Sequence, residues 1–168
     1  MTEKNIKCFK PLAIHGPKLN ILIVGYGALG KRKGKAYETA GSNVISVDPK
    51  QESEATYKMT FKAFIESHEP IFDRQHLVLI STNHTDVNEE VEFYCINKYK
   101  LYNRTDKSEN SCFHDLSVEY KDDYFIAVGS GGKSPEIGRY VIDALRTQVK
   151  IDDIDIKNII AKRKGGLV

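Results

Sequence analysis

The run Leu19–Val24 (LNILIV) ends directly in Gly25-Tyr26-Gly27-Ala28-Leu29-Gly30, and this junction constrains the fold more than any other part of the chain. A continuous apolar run rich in Ile and Val suits a strand covered on both faces, as in a parallel sheet. Glycines at its end let the backbone turn at once into a helix. The pattern predicts that helix over Lys31–Ala40, with Ala36, Tyr37 and Ala40 as its inner stripe and Gly41 closing it. Asn43–Val47 (NVISV) reads as a second strand, ended by Asp48-Pro49. Leu19–Asp48 is therefore a β-α-β unit with the usual right-handed crossover.

In this setting each glycine has a distinct physical role. Gly25 allows the tight turn, Gly27 lets a pyrophosphate approach the backbone, and Gly30 lets helix and strand pack closely. Free N–H groups at the helix start then meet the phosphate charge. Asp48 stands 18 positions past Gly30. A carboxylate there can accept from a ribose 2′-hydroxyl and repel a 2′-phosphate, so the expected cofactor is NAD. A packing turn without a ligand is the plainer alternative.

The rest of the chain extends the pattern. Phe61–Ser67 fits either a strand or a short helix. Leu77–Ser81 is a third buried strand, and Thr82 and Asn83 leave its carboxyl end, where open α/β sheets bind ligands. Asp86–Lys98 is helical, with Val87, Val91, Tyr94 and Cys95 on one face. Leu101–Asn103 is a fourth short strand. Asp115–Tyr120 and Tyr124–Gly129 read as a hairpin. Pro135 opens a helix over Glu136–Gln148, with Ile137, Val141 and Leu145 on its face. The fold class is α/β, a Rossmann-type parallel sheet followed by a small α+β segment.

Length and composition narrow the function classes. At 168 residues the chain is one domain with a small appendage. With 40% hydrophobic and 29% charged residues it is neither disordered nor collagen-like. A net charge of +2 is too small for a wholesale polyanion binder, so no nucleic-acid partner is expected. Lys31, Arg32, Lys33 and Lys35, and Lys162, Arg163 and Lys164, fit solvated faces as well as sites. Cys8, Cys95 and Cys112 are odd in number and widely spaced, which suits thiols in a reducing compartment. The first ten residues lack an apolar signal region, and Ile21–Val24 is too short to span a bilayer. A cytoplasmic protein without membrane association is expected.

Four ordered stretches carry a family resemblance. They are Pro11-Leu12; Gly25 through Lys33 (GYGALGKRK); His76 through Asn83 (HLVLISTN) with Val87-Asn88 after it; and Gly129 through Pro135 (GSGGKSP). In this order the chain resembles the bacterial precorrin-2 dehydrogenases, related to the N-terminal part of siroheme synthase and to bifunctional dehydrogenase/ferrochelatases. The resemblance covers about residues 9–147. It implies a nucleotide domain over 1–113, a dimerisation segment over 114–150 that pairs with a second subunit, and NAD-dependent oxidation of precorrin-2 to sirohydrochlorin. Some family members also insert ferrous iron or cobalt.

Residue by residue, the resemblance carries over as follows. The family's "N-V-V-D" strand end matches Asn103-Arg104-Thr105-Asp106, which makes Asp106 the implied general base. Family NAD contacts map onto Ala28, Leu29, Pro49 and Lys50, beside Gly25, Tyr26, Gly27 and Gly30 of the loop. Ser130 matches a serine that is phosphorylated in some members; a tight-turn role is the plainer one. A substrate with many carboxylates needs cations, and Arg104, Lys133 and Arg139 are the candidates.

The chain also departs from the family. Phe113-His114-Asp115-Leu116 stands where the family has "F-I-F/M-P". His84, Asp106, His114 and Asp115 lack any known ligand spacing, and no metal is expected. Residues 151–168 read as a short helical, basic tail where the family has a helical domain over the tetrapyrrole, so that domain is expected to be nearly absent. Two other functions stay open: a non-catalytic NAD-binding homologue, as a sensor or a subunit needing a partner, and a sirohydrochlorin chelatase alone.

Overall fold

The computed structural model describes residues 6–121 and 124–148. The tail expected over 151–168 lies outside the described residues. The chain divides into two compact units, residues 11–114 and residues 1–10 with 115–168.

The larger unit is built on four parallel strands. These are β1 (Asn20–Val24), β2 (Asn43–Val47), β3 (Leu77–Ile80) and β4 (Leu101–Arg104), in the order β2-β1-β3-β4. Leu22 pairs with Ile45 on one side and Val78 on the other, and Val78 with Tyr102. The apolar runs of β1 and β3 are buried throughout because helices cover both faces. Period-two alternation splits them. Ile21, Ile23, Leu77 and Leu79 face one layer; Leu22, Val24, Val78 and Ile80 face the other.

The first layer rests on α1 (Ala28–Thr39), with Gly27 as its N-cap. The helix starts three residues before the expected Lys31, and its inner stripe is different. Ala36 and Ala40 are exposed, while Gly30 and Gly34 are buried and Tyr37 is half-buried. The reason is proximity: a Cβ on Gly34 would lie 2.9 Å from Ile23 Cδ1. The helix backbone itself, rather than an alanine stripe, lies on the sheet. Phe113 packs into this layer too.

The second layer holds α2 (Phe61–Asp73) and α3 (Thr85–Asn97). The segment that fitted either strand or helix is helical. The Thr60 side chain caps α2 by accepting from Ala63 N–H (3.2 Å). Phe61, Phe64 and Phe72 fill the core, and Pro70 breaks regularity so that His68 leaves helical geometry. The face of α3 buries Val91 and Cys95, with Val87 and Tyr94 packed beside them. Asn88 is buried on the same helix.

The smaller unit pairs β5 (Ser117–Tyr120) antiparallel with β6 (Phe125–Val128), as the hairpin reading expects. Helix α4 (Pro135–Gln148) packs on both strands. A Cβ on Gly138 would lie 2.3 Å from Ser117 Oγ, and Ile142 is buried on the same side. The expected face residue Ile137 is instead exposed, because it lies off the Gly138–Ile142 stripe that meets the hairpin.

Two substitutions check this core. Phe64→Ala empties a fully buried site and should lower unfolding free energy by about 3–5 kcal/mol in urea titration. Tyr99→Ser, at a side chain 96% exposed, should shift it by no more than about 0.5 kcal/mol.

Candidate functional site

All four strands of the parallel sheet run the same way, so their carboxyl ends gather the glycine loop, Asp48, Thr82 and Asp106 along one edge. The loop is held by close backbone approaches. Gly25 has φ +89°, and a Cβ on it would lie 2.7 Å from Thr82 N. A Cβ on Gly30 would lie 2.1 Å from the Gly25 carbonyl oxygen. The Ser81 hydroxyl donates to that same oxygen (2.7 Å). Gly27 differs: nothing lies within 4 Å of where its Cβ would be. Gly25 and Gly30 are needed to build the loop, whereas Gly27 leaves open space at the helix N-terminus for a ligand.

Asp48 closes the other side of this space. It is 8% exposed, and its carboxylate ties the loop to the end of β2. Oδ2 accepts from Tyr26 N–H (2.8 Å) and Oδ1 from Lys50 N–H (3.0 Å). A carboxylate offers about four lone-pair positions, so capacity remains for a ribose hydroxyl. A cavity of about 420 Å³ is lined by Tyr26, Gly27, Ala28, Lys31, Asp48 and Lys50, with Glu52 and Ser53 completing it. Lys31 pairs with Glu54 (2.7 Å). An open glycine, a helix start and a carboxylate around one cavity fit the phosphate and ribose of a dinucleotide.

Asp106 sits in a polar cluster on the α3 side. Alternation along β4 places Tyr102 and Arg104 on the same face, against α3. The Arg104 side chain is 0% exposed. Its Nη1 donates to Glu92 Oε2 (2.5 Å), while Nε and Nη2 donate to the two oxygens of Asp106 (3.0 and 2.5 Å). Tyr102 also donates to Glu92 (3.0 Å). Asn88 donates to the Thr82 carbonyl (3.1 Å), its Oδ1 accepts from the Thr82 hydroxyl (2.6 Å), and its side chain bonds Asp106. The Arg104 hydrogen bonds hold the Asp106 carboxyl at about 2, against the opposing effect of burial and with Asn88 assisting. Asp106 in turn raises the Arg104 guanidinium.

The other expected residues are distributed unevenly. Pro49, Lys50 and Ala28 are exposed beside the cavity, and Leu29 is half-buried. Asn83 is exposed next to the half-buried Thr82. Arg104, read as a cation for a substrate carboxylate, has its guanidinium inside the protein and engaged by two carboxylates of the chain. Lys133 and Arg139 are exposed in the smaller unit. Ser130 Oγ accepts from Ser134 N–H (3.0 Å), which closes the turn made by Gly131 (φ +64°) and Gly132 (φ +79°). Asn88, Glu92, Glu52 and Ser53 were not singled out as site residues from sequence. For Glu92 the available signal was its place between Val91 and Cys95, near the face that meets the sheet.

A family model described as "Putative NAD(P)-binding" matches residues 12–115. The chain belongs to this NAD(P)-binding family. Its cofactor is a nicotinamide dinucleotide. Similar relatives include a siroheme synthase of Psychromonas ingrahamii, 29% identical over 133 residues, and siroheme synthase 2 of Aeromonas salmonicida, 30% identical over 130. These alignments cover 75% and 76% of this chain but only 28% and 27% of the relatives. The chain therefore spans little more than a quarter of their length. Among solved structures, SirC, a precorrin-2 dehydrogenase, matches with a TM-score of 0.58 at 16% identity, over 82% of this chain and 69% of that one. This likeness shows a shared fold.

Gly27→Val should lower stability by no more than about 1 kcal/mol, the N-cap preference, yet abolish dinucleotide binding in calorimetry. Gly30→Val should instead disrupt the loop and lower stability by about 2 kcal/mol or more. Asp106 makes a prediction in pH. Its folded-state value lies below the unfolded one, so its stabilisation is present above the unfolded value and is lost as pH falls towards 2. The stability advantage of wild type over Asp106→Asn should shrink by about 2 kcal/mol between pH 5 and pH 2.

Proposed function

We propose that the chain is an NAD-dependent dehydrogenase that oxidises precorrin-2 to sirohydrochlorin, acting as a homodimer. The observation that carries this reading is the carboxyl edge of the sheet. It combines a dinucleotide cradle with an acidic group, Asp106, two strands away on the same side. The names of the siroheme synthase relatives and of the SirC neighbour support the choice of substrate.

A bound NAD+ supplies hydride acceptance. Around it, Gly27 admits the phosphates, Asp48 receives a ribose hydroxyl, and Thr82 and Asn83 border the crevice beside β1. Asp48 is the reason to prefer NAD over NADP: a carboxylate at the ribose edge repels a 2′-phosphate. Asp106 is the group assigned to the reacting end. Lys133 and Arg139 are assigned to substrate carboxylates, as exposed cations can pair with them.

Homodimer formation is assigned to the segment 114–150, nearly all of which belongs to the smaller unit. Leu116, Val118, Tyr120, Phe125, Ile137 and Tyr140 are exposed there, apolar surface that a second copy of the chain can cover. No helix among the described residues is long and apolar enough to cross a membrane. A cytoplasmic location is part of this proposal.

One feature favours a second reading, an NAD-binding chain without turnover: Asp106 is already gripped by Arg104 and is a weak base. A single assay separates the two. The purified chain with precorrin-2 and NAD+ should yield sirohydrochlorin and NADH in equal amounts. NAD+ binding without either product would leave the non-catalytic reading. Asp48→Ser should raise NADP+ affinity about tenfold, since the like-charge repulsion removed is worth about 1–4 kcal/mol at contact distance.

A further inference from the structure

Arg104 has no counterpart in a "N-V-V-D" strand end, and its geometry goes beyond a structural ion pair at the surface. The guanidinium is wholly buried, yet every contact that fixes it is directional. Glu92 on α3 takes Nη1, and Glu92 is itself fixed by the Tyr102 hydroxyl. The other two nitrogens, Nε and Nη2, form a fork on both oxygens of Asp106. That fork fits a carboxylate plane and cannot be reproduced by an ammonium group. Asn88 connects the same carboxylate to Thr82 at the exit of β3. The result is a relay from α3 through β4 to a carboxylate at the crevice.

We infer that Arg104 is a positioning residue: it holds Asp106 as a fixed, oriented anion at the reacting end instead of leaving it free to take up a proton. This inference rests on the proposed dehydrogenase reading and specifies how its acidic group works.

The charges around Asp106 support it. Arg104 is shared between two carboxylates, Glu92 and Asp106, so the three groups together retain one negative charge. Glu89 on α3 also faces Asp106 but is paired with Lys107 (2.8 Å), which leaves that pair neutral. Asn88 and Thr82 are uncharged. Asp106 therefore presents negative charge outward, where 25% of its side chain remains exposed. When a substrate C–H bond breaks, its electron pair passes as hydride to the oxidised dinucleotide and the substrate is left two electrons poorer. Positive charge develops on the substrate at that moment. A fixed anion stabilises it without reorganisation. The proton released afterwards passes to water, and Asp106 ends the cycle as it began.

The test has an arm that needs no turnover. In the full chain carrying carbon-13-labelled aspartate, the Asp106 carboxyl signal is assigned by its loss in Asp106→Asn. Its titration midpoint should stay below about pH 3, against about pH 4 for a free aspartate. Arg104→Lys should move that midpoint up by about one unit or more, while Glu92→Gln, which leaves the fork intact, should not raise it. A wild-type midpoint near pH 4, or one that ignores Arg104→Lys, would overturn the inference. Should Arg104→Lys not fold, the wild-type midpoint still decides.

The second arm uses precorrin-2 and NAD+. The wild-type kcat/KM profile should show no acid limb from Asp106 above about pH 4. Arg104→Lys should move the acid limb up by the same shift as the carboxyl midpoint and lower kcat on the order of 10²-fold with KM for NAD+ unchanged. An unaltered profile and kcat would overturn the positioning role. A low, Arg104-dependent midpoint in a wild type that turns nothing over would reject the dehydrogenase reading while keeping the clamp on Asp106.

Discussion

The contact on which the larger unit depends is the one between Gly30 and the Gly25 carbonyl. A side-chain carbon on Gly30 would lie 2.1 Å from that oxygen, so only glycine permits α1 to start where it does. The same oxygen accepts from Ser81, which ties the loop after β1 to the exit of β3. Gly25 meets Thr82 N from the other side. Three chain segments thus converge within backbone contact distance, and the crevice at the carboxyl edge is what remains open beside them. Gly27 faces that opening. Binding capacity and close packing are two results of one arrangement.

The cofactor half and the acidic half of the site are built by different means. Asp48 is held by two main-chain N–H groups, which hold a carboxylate in place without any second charge. Asp106 is held by a buried guanidinium, which requires Glu92 and Tyr102 to complete the hydrogen bonding around it. Buried ion pairs seldom add much net stability, because desolvation offsets the attraction. The cluster around Arg104 is therefore better understood as fixing a geometry than as strengthening the fold. Removing one partner would leave a charge uncompensated, which is why single changes there are severe.

Reading the chain without its structure works where backbone conformation decides, and it weakens where side chains from separate elements meet. The apolar runs of β1 and β3, the glycine spacing and Asp48 can all be read from residue order, because each demands a particular residue type at a particular place. The inner face of α1 could not be read in that way. Hydrophobic periodicity points to Ala36 and Ala40, but the closest approach is made by Gly30 and Gly34, which carry no side chain to count. Phe61–Ser67 by itself fits strand or helix, and Pro70 and His68 interrupt the pattern by which Phe61, Phe64 and Phe72 would extend it to Asp73. The cluster at Asp106 was hidden for another reason. Asn88 and Glu92 are polar residues of a helix, and only the pairing of β3 with β4 brings them to Arg104.

Arg104 shows how a strand's alternation can redirect a functional expectation. As a cation beside an acidic motif it looked like a partner for substrate carboxylates. Its position two residues after Tyr102 sends it to the α3 face, where burial forbids contact with any large anionic ligand. Once inside, it needs carboxylates of the chain itself, and the nearest in sequence is Asp106. A basic residue at that point of the strand and an acidic one two positions later form a fork because the loop turns the second back over the first. The same two residue types in the reverse order would bury a carboxylate beside Glu92 and leave the cation at the crevice. The order Arg104 then Asp106 is thus what makes this edge of the sheet present negative charge to whatever binds beside the dinucleotide.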